Sequence, residues 1–353
     1  MTLSLSRFDE HRDRAEHCEL FRLSFPENAG KAADTDEHYR WKFRDYPATP
    51  PSYEYSARED GKLLGYYAAL PYRYRVDGSN LVAGMVCDVM THPGARGKGV
   101  FTTIGRFATE DLGASGLAFT TGYPIRPEVI PGHLKVGWRI VVELPMYLRP
   151  LRSKSMLPKF AAPLAPLVDV VLRVGHAIVE LPSAGASYES RIASVEELLA
   201  RDDYPAFVEH AAVPGTNVLD RSRHFMRWRL SAPGTSYRVV IITSNGRLCA
   251  LAITRAVELR GIATIALLDI MVAERAARGP LHRALIALAR ADGAEAIVAM
   301  ASRRAALRLG FAGRFLPTPH VFRLIVKRLS ADAPRAIEAA GAWEPMWIDS
   351  DDL

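Results

Sequence analysis

Polar and apolar positions change their period several times along the first 150 residues. Residues 12–25 place apolar side chains at Cys18, Leu20, Phe21 and Leu23, a helical spacing that ends at Pro26-Glu27-Asn28-Ala29-Gly30. Residues 36–43 form a second short helix with an aromatic face, closed before Pro47. From Tyr53 the period drops to two. Residues 53–57 are a strand, Glu59-Asp60-Gly61-Lys62 is a hairpin turn, and 63–76 is a long strand interrupted at Pro71. Asp77-Gly78-Ser79-Asn80 turns again into a strand over 81–90, which completes an antiparallel meander. A helix then runs to about Asp111. Residues 117–122 are a strand that arrives after a crossover, so it is expected parallel to the strand through Met85. A short helix over 127–136 and a strand over 137–148 close the first half.

The same landmarks return in the same order. Phe225-Met226-Arg227-Trp228-Arg229-Leu230 echoes Tyr39-Arg40-Trp41-Lys42-Phe43, and the hairpin around Asn245-Gly246 echoes the one around Asp60-Gly61. Residues 264–272 echo 85–91 and set Asp269 opposite Asp88, while 296–301 echo the strand over 117–122. Ala306-Leu307-Arg308-Leu309-Gly310-Phe311 echoes His133-Leu134-Lys135-Val136-Gly137-Trp138. Such self-similarity indicates a tandem duplication. The expected division is 1–150, a Pro-rich linker with an apolar helix over 151–186, a second copy over 187–330, and a C-terminal tail over 331–353. The fold class is α/β (α+β), each copy a mixed, mostly antiparallel sheet flanked by helices.

The stretch most suggestive of chemistry is MVCDVMTHPGARGKGVFTTIGR, residues 85–106. It reads as a strand, a tight basic glycine turn and a helix N-terminus. Such a turn aims several backbone N–H groups at one point, where the helix dipole adds positive potential. Arg96 and Lys98 supply full charges beside Gly97 and Gly99, so the turn is expected to hold phosphate; a solvated basic turn is the plain alternative. The net charge of +6 and a pI near 9.2 suit an anionic ligand. The basic residues are spread along the chain and alternate with acids, which argues against a nucleic-acid interface.

Cys18, Cys87 and Cys249 sit far apart, with no CxxC and no His-Cys spacing, so reduced thiols of a cytoplasmic protein are expected and no metal. The opening MTLSLSRFDEHRDR turns charged at once, unlike a signal peptide. Residues 161–181 are the most apolar segment, but Pro163, Pro166, Asp169, Arg173 and Glu180 interrupt them too often for a membrane span. A helix covering a domain interface is the expectation there, a surface-lying amphipathic helix the alternative.

With these landmarks, the first half resembles the GNAT superfamily of acyl-CoA-dependent N-acyltransferases, and the whole chain resembles a tandem member with a degenerate second copy. The superfamily's Arg/Gln-x-x-Gly-x-Gly/Ala turn corresponds to Arg96-Gly97-Lys98-Gly99-Val100-Phe101, departing at Phe101, where a large residue replaces a small one. The resemblance implies that this turn cradles the pyrophosphate of acetyl-CoA or another acyl-CoA. It further implies that the backbone of Val89 and Thr91 pairs with the pantetheine arm where the fourth and fifth strands splay, and that Gly122-Tyr123-Pro124 borders the thioester. Counting back four residues from Gly137 places His133 where many members carry a tyrosine acid; a surface histidine on a short helix is the other reading. Asp88 is the candidate base, with a structural role as its alternative. Glu54, Tyr66, Tyr67, Tyr72, Tyr74 and Tyr123 are candidate substrate contacts, although aromatic residues at period two also serve as packing.

In the second copy the turn is Glu274-Arg275-Ala276-Ala277-Arg278-Gly279-Pro280, with no Gly-x-Gly, and Ala306 replaces His133. That copy is expected to bind no coenzyme and instead to shape the acceptor pocket or to pair with another chain as a homodimer. The implied reaction is direct attack of a small amine, such as an amino sugar or aminoglycoside-like metabolite, on the thioester in a ternary complex. A non-enzymatic acyl-CoA sensor or scaffold and a protein-lysine acetyltransferase are the competing readings.

Overall fold

Alternation of buried and exposed positions and the glycine turns between them build one large sheet, here in a computed structural model that describes residues 2–153, 163–180 and 187–351. The first half supplies β1 (Ser4–Arg7), α1 (Glu10–Ser24), α2 (Asp36–Phe43), β2 (Tyr53–Glu59), β3 (Lys62–Val76), β4 (Ser79–Thr91), α3 (Val100–Ala114), β5 (Phe119–Gly122), α4 (Ile130–Lys135) and β6 (Arg139–Pro150). After α5 (Ala165–Val179) come β7 (Glu189–Ala193), α6 (Val195–Ala200), α7 (Tyr204–Ala211), β8 (Val218–Leu219) and α8 (Arg223–Arg229). The chain continues through β9 (Tyr237–Ser244), β10 (Arg247–Leu259), β11 (Ile262–Val272), α9 (Arg278–Ala291), β12 (Ala296–Met300), α10 (Arg303–Arg308) and β13 (Leu316–Arg328).

The hairpin turns have the backbone their residues suggest. Asp60-Gly61, Asp77-Gly78 and Asn245-Gly246 all take positive φ at both positions, as two-residue turns that match strand twist require. Pro71, however, does not interrupt β3. Pairing with β2 ends at Tyr53 and Ala69, so the N–H that Pro71 lacks falls past the ladder on that edge, while β4 still pairs on the other. β1 was not legible as a strand; four residues pair it to the outer edge of β2.

The strand order is β1-β2-β3-β4-β5-β13-β6-β12-β11-β10-β9-β7, with β8 alongside β3. Each copy's last strand therefore completes the other copy's sheet. β13 pairs with β5 through Ile325 and Gly122, and β6 pairs with β12 through Val298 and Leu148. The expected boundary at 150 falls at the end of β6, a strand that pairs with β12 of the second half. At the pseudo-twofold axis Trp41 and Trp228 stack with centroids 5.1 Å apart, and each indole N–H donates to the other's backbone carbonyl at 2.8 Å. The two residues occupy the same place in the two copies, and the reciprocal contact is what a duplication predicts.

Two faces of the first half's sheet are covered differently. α3 buries Val100, Ile104, Ala108 and Leu112, spaced by four, against Tyr67, Ala69 and Val86. The other face carries Tyr66, Ala68, Leu70, Tyr72 and Tyr74, which pack in a core shared with α1, α2, the second copy and residues 337–348. The expected tail is thus part of the fold, up to the last described residue.

α5 corrects another expectation. It covers no domain interface, because Leu164, Leu167, Val170, Val171, Val174 and Ile178 are all exposed and Ala165 alone is buried. Among the described residues no helix is long and apolar enough to cross a membrane. Residues 154–162 and 181–186 of the joining segment lie outside the described residues.

Candidate active site

β4 leads into the glycine turn through Thr91. Residues Pro93–Ala95 make one tight turn, in which the Ala95 N–H donates to the His92 carbonyl at 2.8 Å and the His92 Nδ1 accepts from Gly94 N–H at 3.2 Å. Gly97 and Gly99 follow at φ 77° and 85°, and no atom lies close enough to either for a side chain to clash. Their requirement is conformational: left-handed backbone, twice in three residues. α3 then starts at Val100 with no side-chain cap and no acidic residue in its first turn. Its first N–H groups are left for a ligand, with the positive end of the helix dipole behind them. Arg96 and Lys98 are exposed, and among the described residues neither makes an ion pair.

The two side chains that follow point away from this cradle. Val100 is buried, its Cγ1 filling the space over Gly65. Phe101 lies on α4, its ring edge-on to His133 with centroids 4.9 Å apart, over a glycine, Gly132, where a Cβ would come within 2.6 Å of it. The large residue at the departing position therefore packs on α4 instead of standing in the turn.

Next to the turn the sheet opens. β4 and β5 run parallel and pair from Ala83 with Phe119 to Val86 with Gly122. There β5 ends, while β4 continues to Thr91 held by β3 alone. A bulge between the Cys87 and Met90 pairings puts Asp88 at φ 46°, an uncommon conformation for a residue with a side chain. The β4 edge from Cys87 to Thr91 thus has backbone donors and acceptors that β5 does not use. Val89 and Thr91 lie on it, half-buried.

The other candidates are placed as follows. His133 is buried on α4 between Phe101 and Trp138, and burial lowers its pKa to about 4, so it is neutral at pH 7. Asp88 accepts from Lys42 Nζ at 2.9 Å, and the same ammonium reaches Asp351 at 3.0 Å. Burial opposes the charge on Lys42, but the two carboxylates outweigh it and hold its pKa well above the ordinary value. α2 positions this lysine in its last turn, after Thr35 caps the helix by accepting from His38 N–H. Glu54 is fully engaged: it accepts from Tyr39 and Tyr66 hydroxyls at 2.8 and 2.7 Å, from Ser52 at 2.7 Å and from Arg44 at 2.6 Å. Tyr72 stacks on Tyr46 in the shared core. Tyr123, just past β5, instead lines a cleft between the halves. The structure brings together the turn, Phe101 and His133, and separately Asp88 with Lys42. Lys42 and Asp351, 46 and 263 residues from Asp88 in sequence, had no local signal.

The second copy's turn has no glycine at positive φ, and Glu274 is occupied by the Cys249 thiol and the Tyr188 hydroxyl. Asp269 takes the place of Asp88 and binds Arg221 at 2.8 Å.

A model of the acetyltransferase (GNAT) domain matches residues 10–141. No curated protein matches the chain by sequence. Among solved structures, a GCN5-related N-acetyltransferase from Anabaena variabilis superposes with a TM-score of 0.66 at 13% identity, over 96% of this chain and 75% of that one. A probable N-acyltransferase from Enterococcus faecalis gives 0.65 at 12% identity, over 94% and 74%. A tandem GNAT protein from the clavulanic acid biosynthesis pathway gives 0.60 at 14% identity, over 94% of this chain and all of that one. The match to the GNAT domain model thus falls on residues 10–141, in a chain that has the fold of a tandem GNAT protein.

Proposed function

We propose that the chain is an acyl-CoA-dependent N-acyltransferase that moves an acyl group, in the first instance acetyl, to the amine of a small molecule. The observation that carries this reading is the coincidence of an uncapped glycine turn at the start of α3 with an unpaired β4 edge beside it. Backbone N–H groups of the turn, with Arg96 and Lys98, suit a pyrophosphate; the free edge at Val89 and Thr91 suits an extended amide-bearing arm. Coenzyme A bound there supplies an activated acyl group as a thioester. An amine lone pair then forms the C–N bond as the C–S bond breaks, and the amine's proton and the thiolate must be matched. In this reading backbone donors of the bulge at Asp88 and Val89 polarise the thioester carbonyl. The second copy, lacking the positive-φ glycines, binds no coenzyme in this reading.

His133 and Asp88 are the side chains assigned to the departing sulfur and to the amine's proton. Neutral at pH 7, His133 offers the departing sulfur an imidazole N–H hydrogen bond and no proton; the proton that the amine gives up to Asp88, directly or through water and from within its ion pair with Lys42, is the one that ends on the thiolate. Because both are constrained in this way, a non-catalytic acyl-CoA sensor is the second reading. Free-thiol release from acetyl-CoA across amino sugars, aminoglycosides and polyamines separates the two: turnover with any amine supports the enzyme, whereas binding without turnover supports the sensor. His133→Ala is expected to lower turnover more than coenzyme affinity, and unchanged turnover removes it from the mechanism.

A further inference from the structure

α5 turns an apolar face to solvent. Seven of the large apolar side chains that stand exposed among the described residues fall between Leu164 and Val179, and no other helix has more than one. Leu164, Leu167, Val171, Val174 and Ile178 recur at intervals of three and four residues, so they share one face over two heptads, and Val170 flanks them. All six are between 53% and 66% exposed. Together they expose on the order of 600 Å², the upper end of the roughly 300–600 Å² found for the largest apolar patch of a monomer.

The helix cannot roll this face inwards, because its other side is tied down. Ala165 is buried and Val168, Asp169, Leu172 and His176 are half-buried, a set of positions opposite the stripe. The Ser153 N–H donates to Asp169 at 2.7 Å, and the Ser153 hydroxyl donates to the Ala165 carbonyl at 3.2 Å. Just past the helix, Glu180 is buried and bound by Arg149 at 2.9 Å and Arg314 at 2.8 Å. Breaking those pairs would leave a charge unpaired in the interior, so α5 keeps its orientation. Burial of the stripe therefore needs a second surface laid over it.

The chemistry of the stripe selects that surface. A helix lying in a membrane interface carries Trp or Phe on its apolar face and a polar face rich in Lys and Arg. α5 has no Trp, Tyr or Phe, Arg173 is its one lysine or arginine, and its other face packs on the protein. Leu, Val and Ile at alternating intervals of three and four suit the same stripe on another helix. Val171 and Ile178 supply β-branched residues at one set of positions and Leu167 stands at the other, the combination that favours two-helix packing. Pro163, Ala177 and Val179 are exposed beside the stripe and bring each copy's share towards the about 800 Å² per partner of a standard interface. We infer that α5 is a self-association surface, on which two copies of the chain pair stripe to stripe across a twofold axis. The interface lies on the joining segment and not on the second copy, where pairing was expected, and it is independent of the acyltransferase reading.

The test is sedimentation equilibrium of the full chain. It should show a dimer of twice the chain mass, with a Kd on the order of 1 μM or tighter, the weak end for an interface of this area. Leu167→Glu and Val174→Glu each place a carboxylate in the middle of the stripe and should weaken the dimer by at least about a hundredfold. Arg173→Gln, off the stripe, should leave it within a few-fold. Both glutamates replace side chains more than half exposed in the single chain, so melting curves of the variants should stay cooperative. If a glutamate variant fails to fold, Val171→Thr keeps the shape without a charge and should still weaken the dimer about tenfold. A monomer up to about a hundred times the expected Kd overturns the assignment, as does a dimer that survives the changes within the stripe. A monomer that co-sediments with phosphatidylcholine–phosphatidylglycerol vesicles, and loses that binding in the glutamate variants, also overturns it and makes the stripe a membrane surface.

Discussion

Gly65→Ala tests how the turn proposed to bind the coenzyme is held. A Cβ at Gly65 would stand 2.8 Å from Val100 Cγ1 and 3.3 Å from Ala57 Cβ. Carbon atoms in contact prefer about 3.5–4.0 Å, so the added methyl is close to 1 Å too near. Val100 cannot turn aside readily: it is β-branched, at the first position of α3, and 1% exposed. The overlap must therefore shift the start of α3, and with it the N–H groups of the turn. Overpacking of this kind costs about 1–3 kcal/mol. With an unfolding entropy near 2.1 cal/mol/K per residue, that lowers Tm of a chain this long by roughly 1–4 °C. Loss of one well-placed hydrogen bond to phosphate, about 1.5 kcal/mol, lowers acetyl-CoA affinity roughly tenfold. Val100→Ala alone loses stability through a cavity, but the double variant is relieved of the overlap. It should be more stable than the sum of the single losses by at least about 1 kcal/mol and recover coenzyme affinity, because Val100 serves the site through its backbone. Thermal denaturation and calorimetry with acetyl-CoA measure both quantities. Strictly additive losses, or a Gly65→Ala protein that binds acetyl-CoA like the parent, refute this account of the turn.

Three further outcomes are expected. Gly99→Ala places a Cβ in left-handed backbone and should cost about 1–2 kcal/mol with weaker acetyl-CoA binding, whereas Gly175→Ala in α5, at ordinary φ with open space around it, should stabilise by up to about 1 kcal/mol; melting curves of the pair check both. Stability should fall as pH drops from 6.5 towards 4, because the unfolded chain protonates His133 at its ordinary pKa and the folded chain does so only near 4. The contribution is complete above 6.5, on the order of 3 kcal/mol, and His133→Phe should flatten that limb of the Tm-against-pH curve by about one proton. Removing residues 316–353 should abolish acetyl-CoA binding although the turn is untouched, since β13 completes the sheet beside β5; retained binding would show that the exchanged strand is dispensable.

Much of this architecture was legible because its causes are local. Asp60-Gly61 and Asn245-Gly246 make their turns from backbone preference alone, and α2 follows from Thr35, two acids and the aromatic stripe. The glycine turn was recognisable for the same reason: Gly97 and Gly99 are needed for φ, whatever surrounds them. The duplication was visible as order, with the Trp41–Trp228 contact as its physical consequence. Pro71 shows where local rules stop, since its cost depends on whether a neighbouring strand is still present.

What the sequence could not determine is everything set by contacts between distant segments. Exchange of β6 and β13 depends on which sheet edge lies nearer, a choice that period-two patterns leave open because either edge buries the same side chains. α5 has an apolar stripe that reads as an interface helix, yet its position leaves that stripe exposed. The charges at Asp88 and Asp269 were legible as a matched pair of residues, but not their partners. Lys42 and Arg221 reach them through packing within each copy, and Asp351 and Asp349 come from the far end of the chain. Chain order thus determined the turn that suits an acyl-CoA. Tertiary packing alone decided which charges meet at Asp88 and Asp269, because electrostatic and hydrogen-bond partners are chosen by distance in space.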